Sequence, residues 1–165
     1  MNFNQEINRL FRQEFPEILP NSIWQGDNGD YEVFGKYRIV PMRPGYTVFC
    51  SATEVGTFNS TRTALSWCIA DKYQNYTLAR EILETDAKLT HLSNDIAVRA
   101  ALADRSKRQE FRDEVGTKLE TKIIHKKKLE NRLTKCVNWA KYCQQRGFNN
   151  ETARPGRNTT NKANR

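Results

Sequence analysis

The sequence predicts an α+β protein, in which a small antiparallel sheet with a packed helix is followed by a long antiparallel helical hairpin. Three observations lead to this fold class. Apolar residues alternate with period two between residues 30 and 58, which is typical of strands. Further on, they recur every three and four residues, which is the coiled-coil period. The end of the chain has no apolar period and contains Pro and Gly, which predicts a disordered tail.

These changes of pattern divide the chain into three segments. Residues 1–74 form a head of helix, sheet and helix, residues 75–147 a coiled-coil-like hairpin, and residues 148–165 a disordered basic tail. Within the head, the apolar spacing over residues 3–15 predicts a short amphipathic helix that ends at Pro16. A loop follows, in which we expect Trp24 to anchor into the core.

The sheet is predicted from four short runs rich in aromatic and β-branched residues. Gly35, Pro44-Gly45 and a short polar link separate them, so we expect three or four antiparallel strands. Asn59 or Ser60 should then cap a helix that runs to about Tyr73. The four runs are Tyr31–Phe34, Tyr37–Met42, Tyr46–Ser51 and Thr53–Phe58.

Two long helices, from about residue 76 to 103 and from about 107 to 146, should form the hairpin. Gly147 stands where a C-cap glycine belongs. A turn near residues 104–106 aligns the apolar positions of the two helices. This alignment sets Leu78 opposite Leu133, Leu89 opposite Lys122, and Thr85 opposite Lys126. Glu81 and Glu84 are then the expected counter-charges of Lys126.

Charge is distributed unevenly along the chain. The net charge is +8, but residues 1–104 carry ten Lys/Arg against thirteen Asp/Glu, whereas residues 105–165 carry seventeen against six. The first part is therefore −3 and the second +11. Such an asymmetry indicates an acidic partner, namely nucleic acid, an anionic membrane or an acidic protein. The alternative is a solvated lysine-rich helix without a partner.

Two targeting patterns are missing from the sequence. The first residues lack the apolar segment of a secretory signal, and no run approaches the ~18 apolar residues that cross a bilayer. We therefore expect a cytoplasmic protein without a membrane partner. The cysteines form no CxxC pair, and we expect them to be reduced and mostly buried.

No set of residues predicts catalysis. His91 and His125 are the two histidines, and no Ser/His/Asp arrangement or phosphate-binding glycine loop accompanies them. A zinc site built from Cys136, Cys143 and one histidine would need ligands seven residues apart on one helix, which suits a tetrahedral site poorly. We expect no enzyme activity, no metal and no cofactor.

Basic residues cluster at two places in the hairpin, and clustered cations bind phosphates through counterion release. One cluster lies near the turn and the other in the second helix. Trp139 follows the second cluster closely; we expect it to pack in the core, and stacking on unpaired bases is its alternative role. The candidates are Arg105, Lys107 and Arg108 near the turn, and Lys126, Lys127, Lys128, Arg132 and Lys135 in the helix.

The segment Glu54–Tyr73 resembles the last strand and helix of the AP2-like DNA-binding domains. The resemblance rests on Gly56, Phe58, Ser60, Ala64 and Trp67. In that family a three-stranded sheet reads the major groove through side chains on its exposed face. The resemblance implies that three basic residues of the sheet have this role here. They are Lys36, Arg38 and Arg43.

A second resemblance covers most of the chain. The stretches TALSWCIADKYQNYTLAREI and LTKCVNWAKYCQQRGF look like conserved proteins of unknown function from T4-like marine phages, especially those of cyanobacteria. This resemblance implies expression in a bacterial host cytoplasm, or packaging in the virion. We therefore hypothesise a non-enzymatic phage accessory protein that binds nucleic acid mainly through phosphates. The alternative is a virion-structural or host-protein-interaction protein that docks through the hairpin.

Overall fold

The structure, a computed structural model, describes residues 9, 13–15, 23–26, 29–105 and 109–146. It confirms the α+β class and the long helical hairpin. The predicted helix over residues 3–15 falls mostly outside the described residues, and the predicted tail falls wholly outside them. The strands are β1 (Ile23–Gln25), β2 (Tyr31–Val33), β3 (Tyr37–Met42), β4 (Gly45–Cys50) and β5 (Thr53–Phe58). The helices are α1 (Thr61–Lys72), α2 (Tyr76–Arg105) and α3 (Gln109–Arg146).

The sheet is an antiparallel meander whose spatial order follows the chain from β1 to β5. The four predicted runs correspond to β2–β5, but the count of three or four strands was too low. The additional strand is β1, which pairs with β2. Trp24 lies in it opposite Glu32 and is 63% exposed, so the prediction of a core anchor was wrong. Because Trp24 and Glu32 are paired across the two strands, their side chains lie on the same face of the sheet, and that face is exposed.

Helix α1 is the centre of the molecule. Ser60 caps it, because the Ser60 hydroxyl accepts a hydrogen bond from the Thr63 amide at 3.2 Å. Every residue from Thr63 to Ala70 is buried. A helix buried on all sides needs neighbours all round, and α1 packs against the sheet, α2 and α3.

The hairpin joins the head through the first turns of α2 and the last turns of α3. Leu78 and Ile82 of α2 and Ala140 of α3 are fully buried in the same core as the sheet residues. Asn75 precedes α2 and is itself buried. Its side-chain oxygen accepts from the Leu78 amide at 3.3 Å, and its amide group donates to Cys143 Sγ at 3.6 Å.

The register of the hairpin differs from the predicted one. Helix α2 continues to Arg105 and α3 begins at Gln109, whereas the prediction ended the first helix near residue 103 and began the second near residue 107. Every pairing across the seam then shifts by about three residues, which is close to one helical turn. Two ion pairs agree with this shift: Glu81 contacts Arg132 at 2.7 Å, and Asp95 contacts Lys122 at 2.6 Å.

The shifted register changes the partners of the two seam lysines. Lys122 was predicted to lie opposite Leu89, but it forms an ion pair with Asp95. Asp95 also accepts a hydrogen bond from Arg99 at 3.1 Å. The hydrogen bond from Lys122 lowers the pKa of Asp95. Lys126 was expected to pair with Glu81 or Glu84, but its ion pair is with Glu130 on its own helix, at 3.9 Å.

A buried carboxylate fixes the loop between β5 and α1 to the hairpin. Asp86 of α2 is 1% exposed, and its oxygens accept hydrogen bonds from the backbone and side-chain amides of Asn59 at 3.2 and 3.4 Å. Burial raises the pKa of Asp86, although the Asn59 hydrogen bonds oppose the rise. Ionised Asp86 therefore costs folding free energy at neutral pH.

We expect Asp86→Asn to raise the free energy of unfolding at pH 7. A carboxyl whose pKa is higher in the folded state adds stability below its unfolded pKa, and that stability is lost as pH rises through the folded pKa. The gain from Asp86→Asn should therefore disappear near pH 3. Urea unfolding at both pH values measures it.

Asp95→Asn is the matched control for this experiment. The pKa of Asp95 is lowered, so its stabilisation exists above the unfolded pKa and is lost as pH falls through the folded value. The control should lose stability at pH 7. An Asp86→Asn protein that is less stable than the native chain at pH 7 would show that the Asn59 hydrogen bonds outweigh desolvation.

Candidate nucleic-acid interface

The cations of α3 fall into two groups, according to whether a carboxylate neutralises them. Glu81 holds the Arg132 guanidinium, and its hydrogen bond raises the pKa of Arg132. Glu130 lies within ion-pair distance of Lys126. These two candidates therefore contribute less positive potential than the sequence suggests, because each faces a fixed negative charge.

Three candidate lysines keep their full charge toward solvent. Lys127, Lys128 and Lys135 are exposed, and no carboxylate of the described ranges forms an ion pair with them. They lie within nine consecutive residues of one helix, so a little over two turns of α3 carry all three. We call them the free lysines.

Two asparagines extend the line of the free lysines. Asn131 and Asn138 are exposed and alternate with Lys128 and Lys135 at spacings of three, four and three residues. This spacing places all four side chains on one face of the helix. We call the four residues the outer row. Sequence reasoning missed the asparagines because it searched for cations, although their helical spacing from the lysines was readable.

Trp139 does not present its ring to a partner. It is 5% exposed and belongs to the main core, so stacking on bases would require it to leave that core. The structure thus confirms the expected role of Trp139 in core packing. Trp139 does not lie on the seam between α2 and α3. Its ring is buried because it packs in the core that α3 shares with the head.

The basic residues of the sheet are held by acidic neighbours. Lys36 Nζ lies 3.5 Å from Asp71 Oδ2, and Arg38 Nε lies 3.7 Å from Asp30 Oδ2. The guanidinium of Arg38 also lies over the Phe49 ring, 4.9 Å from its centroid. Both cations are therefore partly neutralised, Lys36 by a carboxylate of α1 and Arg38 by one next to β2, so neither offers the unpaired charge that the AP2-like resemblance requires.

Two further candidates, Arg43 and Arg105, lie away from the free lysines. Arg43 is exposed in the turn between β3 and β4, and Arg105 is exposed at the end of α2. Lys107 and Arg108 lie outside the described residues. Among the described candidates, the structure therefore brings together those of α3 and leaves those of the sheet and Arg105 at separate positions.

The most perturbed titratable groups surround Tyr37 rather than the basic helix. The Tyr37 hydroxyl donates to Asp71, and burial together with that contact raises the pKa of Tyr37. Burial also raises the pKa of the Cys68 thiol, which keeps it protonated at neutral pH. A protonated thiol is a poor nucleophile, so this cluster does not present an activated group. All four cysteines are free, three of them buried and Cys50 partly so.

Within the part of the chain that the structure describes, no three His, Cys, Asp or Glu residues lie together as metal ligands would, and no helix has the length and apolar character needed to cross a membrane. Comparison with protein-family models, curated proteins and solved structures gives no significant match.

Proposed function

We propose that the chain is a non-enzymatic protein that binds nucleic acid through phosphate contacts of the free lysines on α3. One observation carries the proposal: Lys127, Lys128 and Lys135 lack a carboxylate partner within the described ranges, whereas the cations around them are paired. Unpaired cations on one short stretch attract phosphates, and binding then releases counterions from the nucleic acid.

The fixed position of this part of α3 supports the proposal. Val137, Ala140 and Cys143 are buried in the core, and Leu129 is buried on the seam. The backbone between them is therefore ordered before any partner arrives. Pre-ordered donors reduce the entropy that binding must offset, so a few lysines on this helix are more effective than the same lysines on a flexible chain.

Replacing two free lysines should weaken binding to a short duplex strongly. Each phosphate contact contributes about 0.9 to the slope of log affinity against log salt, so Lys128→Gln with Lys135→Gln should lower the slope by about two. Near 0.1 M salt this corresponds to a loss of affinity on the order of 50-fold. Fluorescence anisotropy over a salt series measures both quantities.

A matched control removes the same charge elsewhere. Arg80 and Lys88 are exposed on α2 and lack an ion pair within the described ranges, so Arg80→Gln with Lys88→Gln changes the net charge equally. The control should lose at most a few-fold in affinity. Equal losses in the two double variants would contradict a localised site, and no binding by the native chain would contradict the proposal itself.

A second candidate function is protein docking through the hairpin, with an acidic, virion or host protein as partner. Large apolar side chains are exposed along it, including Val98 and Leu102 on α2 and Ile123 and Ile124 on α3. Such side chains are usual at protein interfaces. This function predicts a partner that is retained after nuclease treatment and at high salt, and that Leu102→Ser releases.

The biological setting belongs to the proposal as well. The likeness of two stretches to proteins of T4-like marine phages supports an accessory protein made in a bacterial host cytoplasm, or carried in the virion. Mass spectrometry of purified virions and of infected-cell extract distinguishes the two places. A phosphate-binding role suits either place, because the phage genome occupies both.

A further inference from the structure

The outer row has a geometry that limits which form of nucleic acid it suits. Lys128, Asn131, Lys135 and Asn138 lie on one line along α3, and the line is about 15 Å long, from the helical rise of 1.5 Å per residue. All four side chains are exposed. Neither asparagine has a side-chain hydrogen bond to another described residue. Amine and amide donors therefore alternate along a straight, rigid support.

Groups that recognise unpaired bases are missing from this line. Residues 112–138 of the sequence contain no Phe, Tyr or Trp. Trp139 is buried, and Tyr142, one turn beyond Asn138, is half-buried. Proteins that hold single strands obtain much of their affinity from stacking of the bases on aromatic side chains. A single strand laid along the outer row would lose this contribution and would also lose its flexibility.

A duplex suits the same row better, because its charges are denser and already in place. Both strands together carry one phosphate charge per about 1.7 Å of axis, so a 15 Å length of duplex carries roughly nine charges, part of them on the side next to the row. Lysine amines supply the electrostatic attraction. Asparagine amides are common donors to phosphate oxygens and fix position without reading sequence.

We infer that the partner of the outer row is the sugar–phosphate backbone of double-stranded nucleic acid, with Lys128 and Lys135 as its charge contacts and Asn131 and Asn138 as neutral phosphate donors. The inference rests on the proposed function and specifies its ligand. It also predicts little preference between duplex sequences, because no contact of the row reaches a base edge.

The test compares one 20-base-pair DNA duplex with each of its separate strands, using the full chain and fluorescence anisotropy near 0.1 M salt. We expect the duplex to bind at least about tenfold more tightly than either strand, and a second duplex of unrelated sequence to bind within a few-fold of the first. Equal or tighter binding of the single strands would overturn the inference but leave the proposed function standing. Binding of neither form would instead overturn the proposed function.

A pair of variants tests the role of the asparagines. Asn131→Ala with Asn138→Ala should weaken duplex binding roughly tenfold and leave the salt slope unchanged, because neutral donors release no counterions. Lys128→Gln with Lys135→Gln should instead lower the slope. Circular dichroism establishes that both variants fold. Full duplex affinity in the folded asparagine variant would overturn the assignment of these residues.

Discussion

Gly45→Ala is expected to lower the free energy of unfolding by about 3 kcal/mol or more. Gly45 begins β4 and is buried, and an added Cβ would lie well inside van der Waals contact with the Phe58 carbonyl oxygen. Backbone atoms cannot move aside as a side chain can. Relief of the clash would separate β4 from β5 where Tyr46 pairs with Phe58. Urea unfolding followed by circular dichroism measures the loss.

Two other glycines give matched controls for this substitution. Gly116 lies inside α3 with nothing within 4 Å of an added Cβ, so Gly116→Ala should stabilise by about 1 kcal/mol through helix propensity. An added Cβ at Gly56 would meet Leu83 Cδ1 at 2.9 Å, and that side chain can rotate. Gly56→Ala should therefore fall between the other two. A Gly45→Ala protein as stable as Gly116→Ala would refute the close approach of β4 to Phe58.

Ile82→Ala is expected to cost about 2–5 kcal/mol, the usual range for large-to-small changes in a core. Ile82 is fully buried at the place where α2 enters the core of the head. Loss of the Ile82 side chain leaves a cavity between elements that each pack on α1. The surrounding elements hold one another in place, so they can move little to fill it. Thermal and chemical unfolding both report the change.

The same substitution on the surface is the control. Ile124 of α3 is 60% exposed, so Ile124→Ala should be neutral or slightly stabilising, since alanine favours helix more than isoleucine does. Because Ile82 belongs to both the head and the hairpin, its loss should shift the helix signal and the tryptophan signal together. A shift of the helix signal alone would mean that the hairpin unfolds independently of the head.

Elements with a local period were predicted from the sequence, because their side chains repeat within the element itself. The runs that became β2–β5 alternate, and the seam of α2 and α3 repeats every three and four residues. Strand β1 is as short as β2, but it lacks alternation: half-buried Ile23 is followed by two exposed residues, and the strand is defined by its pairing with β2. Strand β1 could be assigned only from its pairing with β2, and that pairing is not visible in the sequence.

The error in register has a different cause. No Gly or Pro lies between Gly56 and Gly116, so nothing in the sequence marks where α2 stops. A displaced turn changes each pairing by twice its displacement, and the partners of Lys126 and Arg132 depend on that pairing. The basic cluster could therefore be predicted from the sequence, but the identity of the lysines without a carboxylate partner could not.

The burial of the tryptophans has an optical consequence. Trp67 and Trp139 are 8% and 5% exposed, whereas Trp24 is 63% exposed, so a neutral quencher such as acrylamide should reach the indole of Trp24 and spare the other two. The unquenched emission then comes from the core, where Trp67 of α1 packs edge-on against Tyr37 of β3 and Trp139 is buried on α3. Trp139 follows Asn138 in the chain, so the emission of Trp139 reports on α3 from the buried side of the helix. A ligand that binds the outer row without displacing α3 should change neither the emission wavelength of the buried tryptophans nor their protection from the quencher.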